Sequence, residues 1–277
     1  MTTTTTFSFT HRPLVPFSHD YAHGDSEPWH QHDCAQLLHS LTGVVRVDTA
    51  SGCWVVPPGR GVWLPAGTQH ALRITGNVAA RTLFIDPLAR ADLPATCQIV
   101  QISPLLRELI LTSLTLPESY APGSRDERVY ELILTSLTLP ESYAPGSRDE
   151  RVYELILDEI RLMPVLPFHL PEPESEALRH LCQQIRMAPG ESWSSAQAAG
   201  IVGMSERTLN RHFQQQTGLS YGEWVRRARL LEALVRLAQG QPVLRVALDL
   251  GYGSHSAFTA MFRRVMGLSP SDYFRND

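Results

Sequence analysis

Residues 205–213 constrain the fold more tightly than any other stretch of this chain. Leu209 and Phe213 stand four residues apart, a spacing that places both on the buried side of a helix. Arg207 and Arg211 then project from the opposite side. We therefore predict a short helix with an apolar seam and an exposed cationic face, which suits contact with DNA.

The residues before this helix predict a second helix and a tight turn. Ala198 and Ala199 are small residues on a helical stretch at about 195–201, where another helix can approach closely. Gly203 supplies the turn, and Ser205 is a favourable N-cap for the helix that follows. Together these features predict a helix-turn-helix, a motif that places its second helix in the major groove of DNA.

The same arrangement recurs about fifty residues later. Val246 and Ala247 lie on a predicted helix, Gly251 makes the turn, and Ser254 caps a helix with Phe258 on its buried side. A helical bundle with solvated arginines is the alternative. Two matched units favour a pair of DNA-reading helices instead.

A continuous helical pattern at residues 221–239 joins the two units, and Gly240 ends it. At about 1.5 Å per residue, such a helix is roughly 28 Å long. That length is comparable with the ~34 Å between successive major-groove faces on one side of a duplex. One chain is therefore expected to reach two neighbouring grooves.

Motif residues run through the whole C-terminal part, and they are Gly203, Ser205, Leu209, Phe213, Gly218, Val246, Ala247, Gly251, Tyr252, Ser254, Phe258, Phe262 and Pro270. This pattern resembles the DNA-binding domain of AraC/XylS-type transcription regulators over about residues 175–274. Gly253 departs from the alanine or larger residue of that family. The resemblance implies DNA contacts from Ser205, Glu206, Arg207, Asn210 and Arg211 in the first unit, and from Ser254, His255, Ser256, Thr259 and Arg263 in the second.

Charge is distributed unevenly along the 277 residues. The net charge is −4, but residues 191–277 hold ten arginines against seven acidic residues, and residues 1–190 hold 14 against 21. These counts give +3 and −7, so DNA binding is expected from the C-terminal part alone. The chain has no lysine. Either bidentate recognition of phosphate and guanine or a GC-rich genome explains that bias.

The four cysteines are scattered without a C-x-x-C pair, so neither a disulfide framework nor a thiolate zinc site is expected. Five threonines follow Met1, without the basic and apolar segments of a secretory signal. No apolar run approaches the roughly 20 residues that cross a bilayer. We expect a disordered stub at the N-terminus and a cytoplasmic protein without membrane contact.

Short alternating runs dominate the N-terminal part. Each is bounded by Gly, Pro, Asp or Asn, and their even spacing predicts a small antiparallel barrel or sandwich. The runs are 37–41, 44–47, 54–56, 61–64, 71–74 and 81–85.

His30 and His32 stand at alternate positions in this region. Alternate residues of a strand point to one face, so both imidazoles are expected in one cavity, which His70 can enter from a neighbouring strand. The motif residues here are Gly24, His30, His32, Gln36 and Gly43, followed by Gly59, Pro65, Gly67 and His70. This spacing resembles the cupin barrel over about residues 24–85, with Gln36 in place of its glutamate ligand and Ile74 in place of its usual asparagine.

Two interpretations of these histidines stay open. In one, the three imidazoles hold a divalent metal such as iron, manganese, zinc or nickel, with Gln36 as a weak fourth ligand. In the other, the same side chains hydrogen-bond an effector or one another, because a neutral amide in place of a carboxylate lowers metal affinity. The candidate effector-binding residues are Trp29, His30, His32, Gln36, Trp63 and His70, and Trp54 is a further candidate wall of the pocket.

Residues 108–130 and 131–153 are identical, and a third copy begins at residues 154–157. Solenoid repeats diverge outside their buried positions, so complete identity indicates a recent in-frame duplication. The junction predicts a hybrid helix at about 125–139. The duplication either alters coupling or dimer geometry or is a neutral insertion. An unchanged effector response after deletion of residues 131–153 would exclude the first alternative.

These observations predict an α+β chain with an N-terminal cupin-like antiparallel barrel and a C-terminal all-α domain. The expected boundaries are a stub at 1–15, an effector-binding domain at 16–100, a helical connector at 101–170 and a double helix-turn-helix domain at 171–277. We expect a transcription regulator, activator or repressor, that binds operator DNA and a small-molecule effector as a homodimer and contacts RNA polymerase if it activates. The competing class is a metal-dependent cupin oxygenase or isomerase fused to a helical domain.

Overall fold

The structure is a computed structural model, and it describes residues 3–5, 14–88, 93–115, 123–137 and 168–274. Contacts divide the chain into two compact units. The first comprises Met1–Ala50 and Val56–Leu166, and the second comprises Ser51–Val55 and Pro167–Asp277. Over the described ranges, every helix is too short or too polar to cross a bilayer.

Two sheets form the first unit. The strands of the described chain are β1 (Thr3–Thr5), β2 (Leu14–Tyr21), β3 (Ser26–His32), β4 (Ala35–Ser40), β5 (Val44–Thr49), β6 (Gly52–Val56), β7 (Arg60–Leu64), β8 (His70–Thr75), β9 (Val78–Ile85), β10 (Gln98–Gln101) and β11 (His169–Pro171). One sheet has the order β10-β7-β4-β9-β2, and the other contains β1-β3-β8-β5. The pairs are antiparallel except for β1 with β3, which is parallel. The prediction of a cupin-like antiparallel domain is confirmed.

The N-terminal stub is a correction to the sequence prediction. Residues 1–15 were expected to be disordered, but Thr3–Thr5 forms β1 and Leu14 begins β2. Threonine is β-branched and favours extended backbone, and the exposed edge of β3 offers hydrogen-bonding groups to it.

Two helices cover one face of the five-stranded sheet. They are α1 (Pro104–Ser113), whose N-cap is Ser103, and α2 (Arg125–Leu137). Leu37 lies opposite Trp63 and opposite Leu83 in the ladders, so these side chains share one face. They pack with the helix residues Leu106, Ile110, Tyr130 and Ile133 in a single apolar core.

The hybrid helix created by the duplication is therefore part of the packed first unit. Ile133 is fully buried in α2, and Leu132 packs against the same core. The side chain of Leu137 and most of the second copy lie outside the described residues.

The second unit is mainly helical. Its helices are α3 (Glu176–Met187), α4 (Ser195–Ile201), α5 (Glu206–Thr217), α6 (Tyr221–Ala238), α7 (Val243–Asp249), α8 (His255–Met266) and α9 (Pro270–Tyr273). The strand β11 pairs with β6 in the same unit. That strand lies at the boundary between the predicted helical connector and the predicted C-terminal domain, and its proline-bounded residues suit a short edge strand.

The helix α6 organises this unit. Trp224 is fully buried and donates a hydrogen bond from Nε1 to the carbonyl oxygen of Pro171 at 2.8 Å. Arg229 donates to the carbonyl oxygens of Pro189 and Glu191, both at 2.8 Å. These bonds fasten the strand β11 and the loop after α3 to the same helix.

Candidate nucleic-acid interface and histidine cluster

The first helix-turn-helix forms from α4, a glycine turn and α5. Gly203 has φ +66°, a conformation that L-residues with a side chain rarely adopt. The amide of Met204 donates to the carbonyl oxygen of Ala199 at 2.9 Å, which closes the turn. Leu209 and Phe213 are fully buried, as the four-residue spacing predicts.

The second helix-turn-helix repeats this geometry with α7 and α8. Gly251 has φ +77°, and the amide of Tyr252 donates to the carbonyl oxygen of Ala247 at 3.0 Å. From α7 to Tyr252, each residue of the second unit is 48 positions after the equivalent residue of the first unit, as Gly251 is after Gly203. After Gly253, the one extra residue of the second turn, the offset is 49, so Ser254 occupies the place of Ser205.

Both serines act as N-caps. The Ser205 Oγ accepts from the amide of Thr208 at 3.2 Å, and the Ser254 Oγ accepts from the amide of Ala257 at 3.1 Å. Each helix thus begins with its remaining amide groups available to an anion, and a helix N-terminus favours phosphate. The two N-termini are therefore suited to hold a DNA backbone.

The cationic side chains occupy different parts of the two helices. Arg207 and Arg211 are exposed in the first two turns of α5. In α8 the N-terminal positions carry the exposed His255 and Ser256, and Arg263 lies exposed in the last turn. The first helix therefore presents guanidinium groups where a base-reading helix enters the groove, and the second presents small polar groups there.

Two residues expected to contact DNA, Asn210 and Thr259, are engaged or partly buried within the second unit. Asn210 donates from Nδ2 to the carbonyl oxygen of Glu206 at 3.0 Å and accepts from the amide of Tyr221 at 3.3 Å. It thereby fastens the first turn of α6. Thr259 is only partly exposed, and its Oγ1 is buried. Both side chains are therefore suited to stabilise the unit. Glu206, a third expected contact, is exposed.

The structure brings His30, His32 and His70 together in the first unit. One ligand nitrogen from each lies within 4.8 Å of the others. The ring centroids of His30 and His70 are 4.2 Å apart, and His30 is opposite His70 in the ladder. We refer to these three residues as the histidine cluster.

A β-bulge places the cluster. Between Glu27 and His30 the strand β3 advances three residues while β8 advances two. Because of the extra residue, Glu27 and His30 lie on the same face of the strand. His32 lies on that face too, because it is two positions after His30. The Glu27 Oε2 is 3.5 Å from the His30 Nε2, and the other carboxylate oxygen accepts from the hydroxyl of Tyr21.

Backbone carbonyls fix the tautomers of two imidazoles. The His30 Nδ1 lies 2.8 Å from the carbonyl oxygen of Pro28, and the His70 Nδ1 lies 2.8 Å from that of Thr68. A carbonyl oxygen only accepts, so each Nδ1 carries a proton, and in the neutral form of the ring the lone pair is on Nε2. Burial lowers the pKa of His70 to about 4, which keeps this imidazole neutral at physiological pH.

Gln36 faces the same interior as the cluster. It lies opposite Phe84 in the ladder, and the ring of Phe84 packs edge-on against His32 with centroids 4.9 Å apart. The Gln36 Oε1 is buried without a hydrogen-bond partner among the described residues. A polar ligand is one way to satisfy such an atom.

Two of the tryptophans predicted to wall this site, Trp63 and Trp54, lie elsewhere, which corrects that part of the prediction. Trp63 is on the opposite face of the sheet, in the core under α1 and α2, and donates to the carbonyl oxygen of Pro94. Trp29 is 47% exposed beside the bulge. Trp54 stacks on His169 in the second unit, with ring centroids 3.9 Å apart.

Glu27 and Tyr21 are site residues that the sequence analysis missed. The alternation rule assigns Glu27 and His30 to opposite faces of an uninterrupted strand. Pro28 was the available signal, because proline inside a strand is confined to edges and bulges.

Two family models match the chain. Residues 15–156 match the AraC-like ligand binding domain, and residues 198–276 match a helix-turn-helix domain. The HTH-type transcriptional regulator NimR of Escherichia coli is 34% identical over 250 residues, covering 90% of this chain and 82% of that protein. The regulatory protein SoxS of Salmonella typhimurium is 42% identical over 72 residues, covering 26% of this chain and 67% of that protein.

Among solved structures, one of ToxT from Vibrio cholerae aligns over 95% of this chain and 98% of that chain, at 12% identity and a TM-score of 0.36. The Escherichia coli relative is named as a transcriptional regulator, and the Salmonella relative is named as a regulatory protein. This finding decides against the cupin enzyme as the competing class.

Proposed function

The chain belongs to the AraC family of transcription regulators, and from that premise we propose that α5 and α8 are recognition helices that read neighbouring major grooves of one operator. The family function is effector-responsive control of transcription. The proposal concerns which residues carry it.

The matched geometry of the two helix-turn-helix units is the observation that supports this proposal most. Each unit has a positive-φ glycine, the same turn-closing hydrogen bond and a serine N-cap. The helix α6 between them has 18 residues and is therefore about 27 Å long, close to the ~34 Å of one helical turn.

We assign base reading chiefly to the first recognition helix. Arg207 and Arg211 are exposed near its N-terminus, and arginine forms bidentate hydrogen bonds to guanine. In the second recognition helix, His255 and Ser256 contact bases, and Arg263 contacts phosphate. Ser205 and Ser254 orient the helix N-termini, Asn210 and Thr259 support the helices from within, and Glu206 lies at the rim of the interface.

We propose that the histidine cluster and Gln36 form the effector-binding part of the first unit. They bring imidazole nitrogens and an amide oxygen to one buried place, which provides orienting groups for a small polar ligand. We further propose that the protein acts as a homodimer, and that it contacts RNA polymerase at promoters where it activates.

Replacing Arg211 by alanine is expected to weaken operator binding by about 1–3 kcal/mol, or roughly 5- to 150-fold in Kd, if the side chain reads a base. If it binds phosphate instead, the slope of log K against log salt falls by about one unit. Fluorescence anisotropy with the regulator's own upstream DNA at several salt concentrations measures both quantities. The matched control is Arg179→Ala, which removes an exposed arginine from α3. Equal Kd values and equal salt slopes for wild type, Arg211→Ala and the control would remove α5 from the interface.

A further inference from the structure

We infer that the histidine cluster is a binding site for a divalent first-row transition metal ion, with Glu27 rather than Gln36 as the carboxylate that completes it. These side chains bind the ion whether the ion itself or an organic molecule is the effector.

The direction of the imidazole lone pairs favours a metal site. His30 and His70 each donate Nδ1–H to a backbone carbonyl oxygen, so Nε2 is the ligand atom of both. Metal-binding histidines commonly use this arrangement, because the second hydrogen bond fixes the ring and raises its basicity. The His70 Nε2 is buried, with no hydrogen-bond partner in the described part of the chain.

The three imidazoles are largely buried. The exposed fractions are 1% for His70, 7% for His32 and 12% for the side chain of His30. The Nδ1–H groups of His30 and His70 already bond to backbone carbonyl oxygens, so they are not available as donors to the neighbouring rings of the cluster. A metal ion satisfies several nitrogen lone pairs at once.

A carboxylate lies beside the histidine cluster. The three histidines alone provide a neutral ligand set, and Gln36 adds no charge. Glu27 provides the negative charge from the same face of β3, with Oε2 3.5 Å from the His30 Nε2. The Tyr21 hydroxyl bonds to its other oxygen and so orients the carboxylate towards the cluster.

The distances are consistent with a site that closes around an ion. A tetrahedral zinc ion with Zn–N bonds of about 2.0–2.1 Å requires ligand atoms about 3.3 Å apart. The Glu27 oxygen is close to that separation from His30, and the three histidine nitrogens lie within 4.8 Å of one another. Binding the ion therefore requires the nitrogen atoms to approach one another, from as much as 4.8 Å to about 3.3 Å. Histidine with carboxylate suits zinc, iron, nickel or manganese.

The test is metal titration of the purified full-length chain after treatment with a chelator. Zn²⁺ binding is measured by calorimetry and by metal analysis after dialysis, and Co²⁺ binding by visible absorption. We expect one ion per chain and a Co²⁺ spectrum without thiolate charge-transfer bands. The variants His30→Ala and His70→Ala should lower the affinity at least tenfold. His180→Ala, which removes an exposed histidine from α3, is the matched control.

Two further variants test the role of the carboxylate. Glu27→Gln should lower the affinity about tenfold, and Gln36→Ala should leave it within about twofold. Circular dichroism checks the fold of each variant. His30 is more exposed than His70, so His30→Ala tests the site if His70→Ala does not fold. Absence of saturable binding, binding that survives in a folded His30→Ala chain, or thiolate bands with Co²⁺ would overturn the metal site. Loss of affinity in Gln36→Ala but not in Glu27→Gln would overturn the assignment of Glu27.

Discussion

Replacing Trp224 by alanine should destabilise the protein by about 3–5 kcal/mol, the range for removing a fully buried tryptophan. Trp224 is 0% exposed, packs against Phe213 of the first recognition helix and bonds to the carbonyl oxygen of Pro171. The substitution therefore leaves a cavity beside α5 and a carbonyl without its donor. Urea unfolding followed by circular dichroism measures the change in free energy, and operator binding should decline with the folded fraction.

Trp224→Phe separates the two contributions. Phenylalanine keeps most of the apolar area but cannot donate to Pro171, and losing one hydrogen bond costs about 0.5–1.5 kcal/mol. A Trp224→Ala chain within about 1 kcal/mol of wild type would contradict the role of α6 as the centre of this unit.

Replacing Gly190 by alanine should disrupt the second helix-turn-helix at a cost of about 3 kcal/mol or more, the upper part of the range for overpacking. A Cβ at Gly190 would stand 1.9 Å from the carbonyl oxygen of Asp249, the last residue of α7. Gly251 lies nearby, and a Cβ added to it would stand 2.7 Å from the carbonyl oxygen of Gly190. Arg229 holds both sides of this loop, so the backbone cannot move away freely.

The matched control is Gly200→Ala. Gly200 lies in α4, and a Cβ there meets nothing within 4 Å. Alanine should therefore stabilise that helix by about 0.5–1 kcal/mol. Thermal unfolding and operator anisotropy are measured for both variants. Equal stability and equal Kd for the two would show that the contact between Gly190 and Asp249 has no part in placing the second unit.

The elements of the fold could be predicted well because their periodicity is local. The six predicted strand runs correspond to β4–β9, and the predicted helix at about 195–201 is α4. The strand β2 was missed because Pro16 interrupts its pattern, and an edge strand tolerates proline where a central strand does not. The strand β1 was missed because its run of threonines has no alternation of apolar and polar residues.

The site could be predicted only in part. The alternation of His30 and His32 indicates a shared face, but the approach of Glu27 depends on a bulge that alternation does not reveal. The wrong placement of Trp63 has a different cause. The strands β4 and β7 are largely buried on both faces, so their sequences carry no polar face to show which side chains point to the helices.

The central claim is that one chain reads two neighbouring grooves with α5 and α8, and a map of base substitutions along the operator tests it most directly. For the wild type we predict two blocks of sensitive base pairs about 10 base pairs apart, one helical turn. Arg211→Ala should lose discrimination in one block only, and His255→Ala in the other only. A single sensitive block, or loss of both blocks in each variant, would contradict the claim.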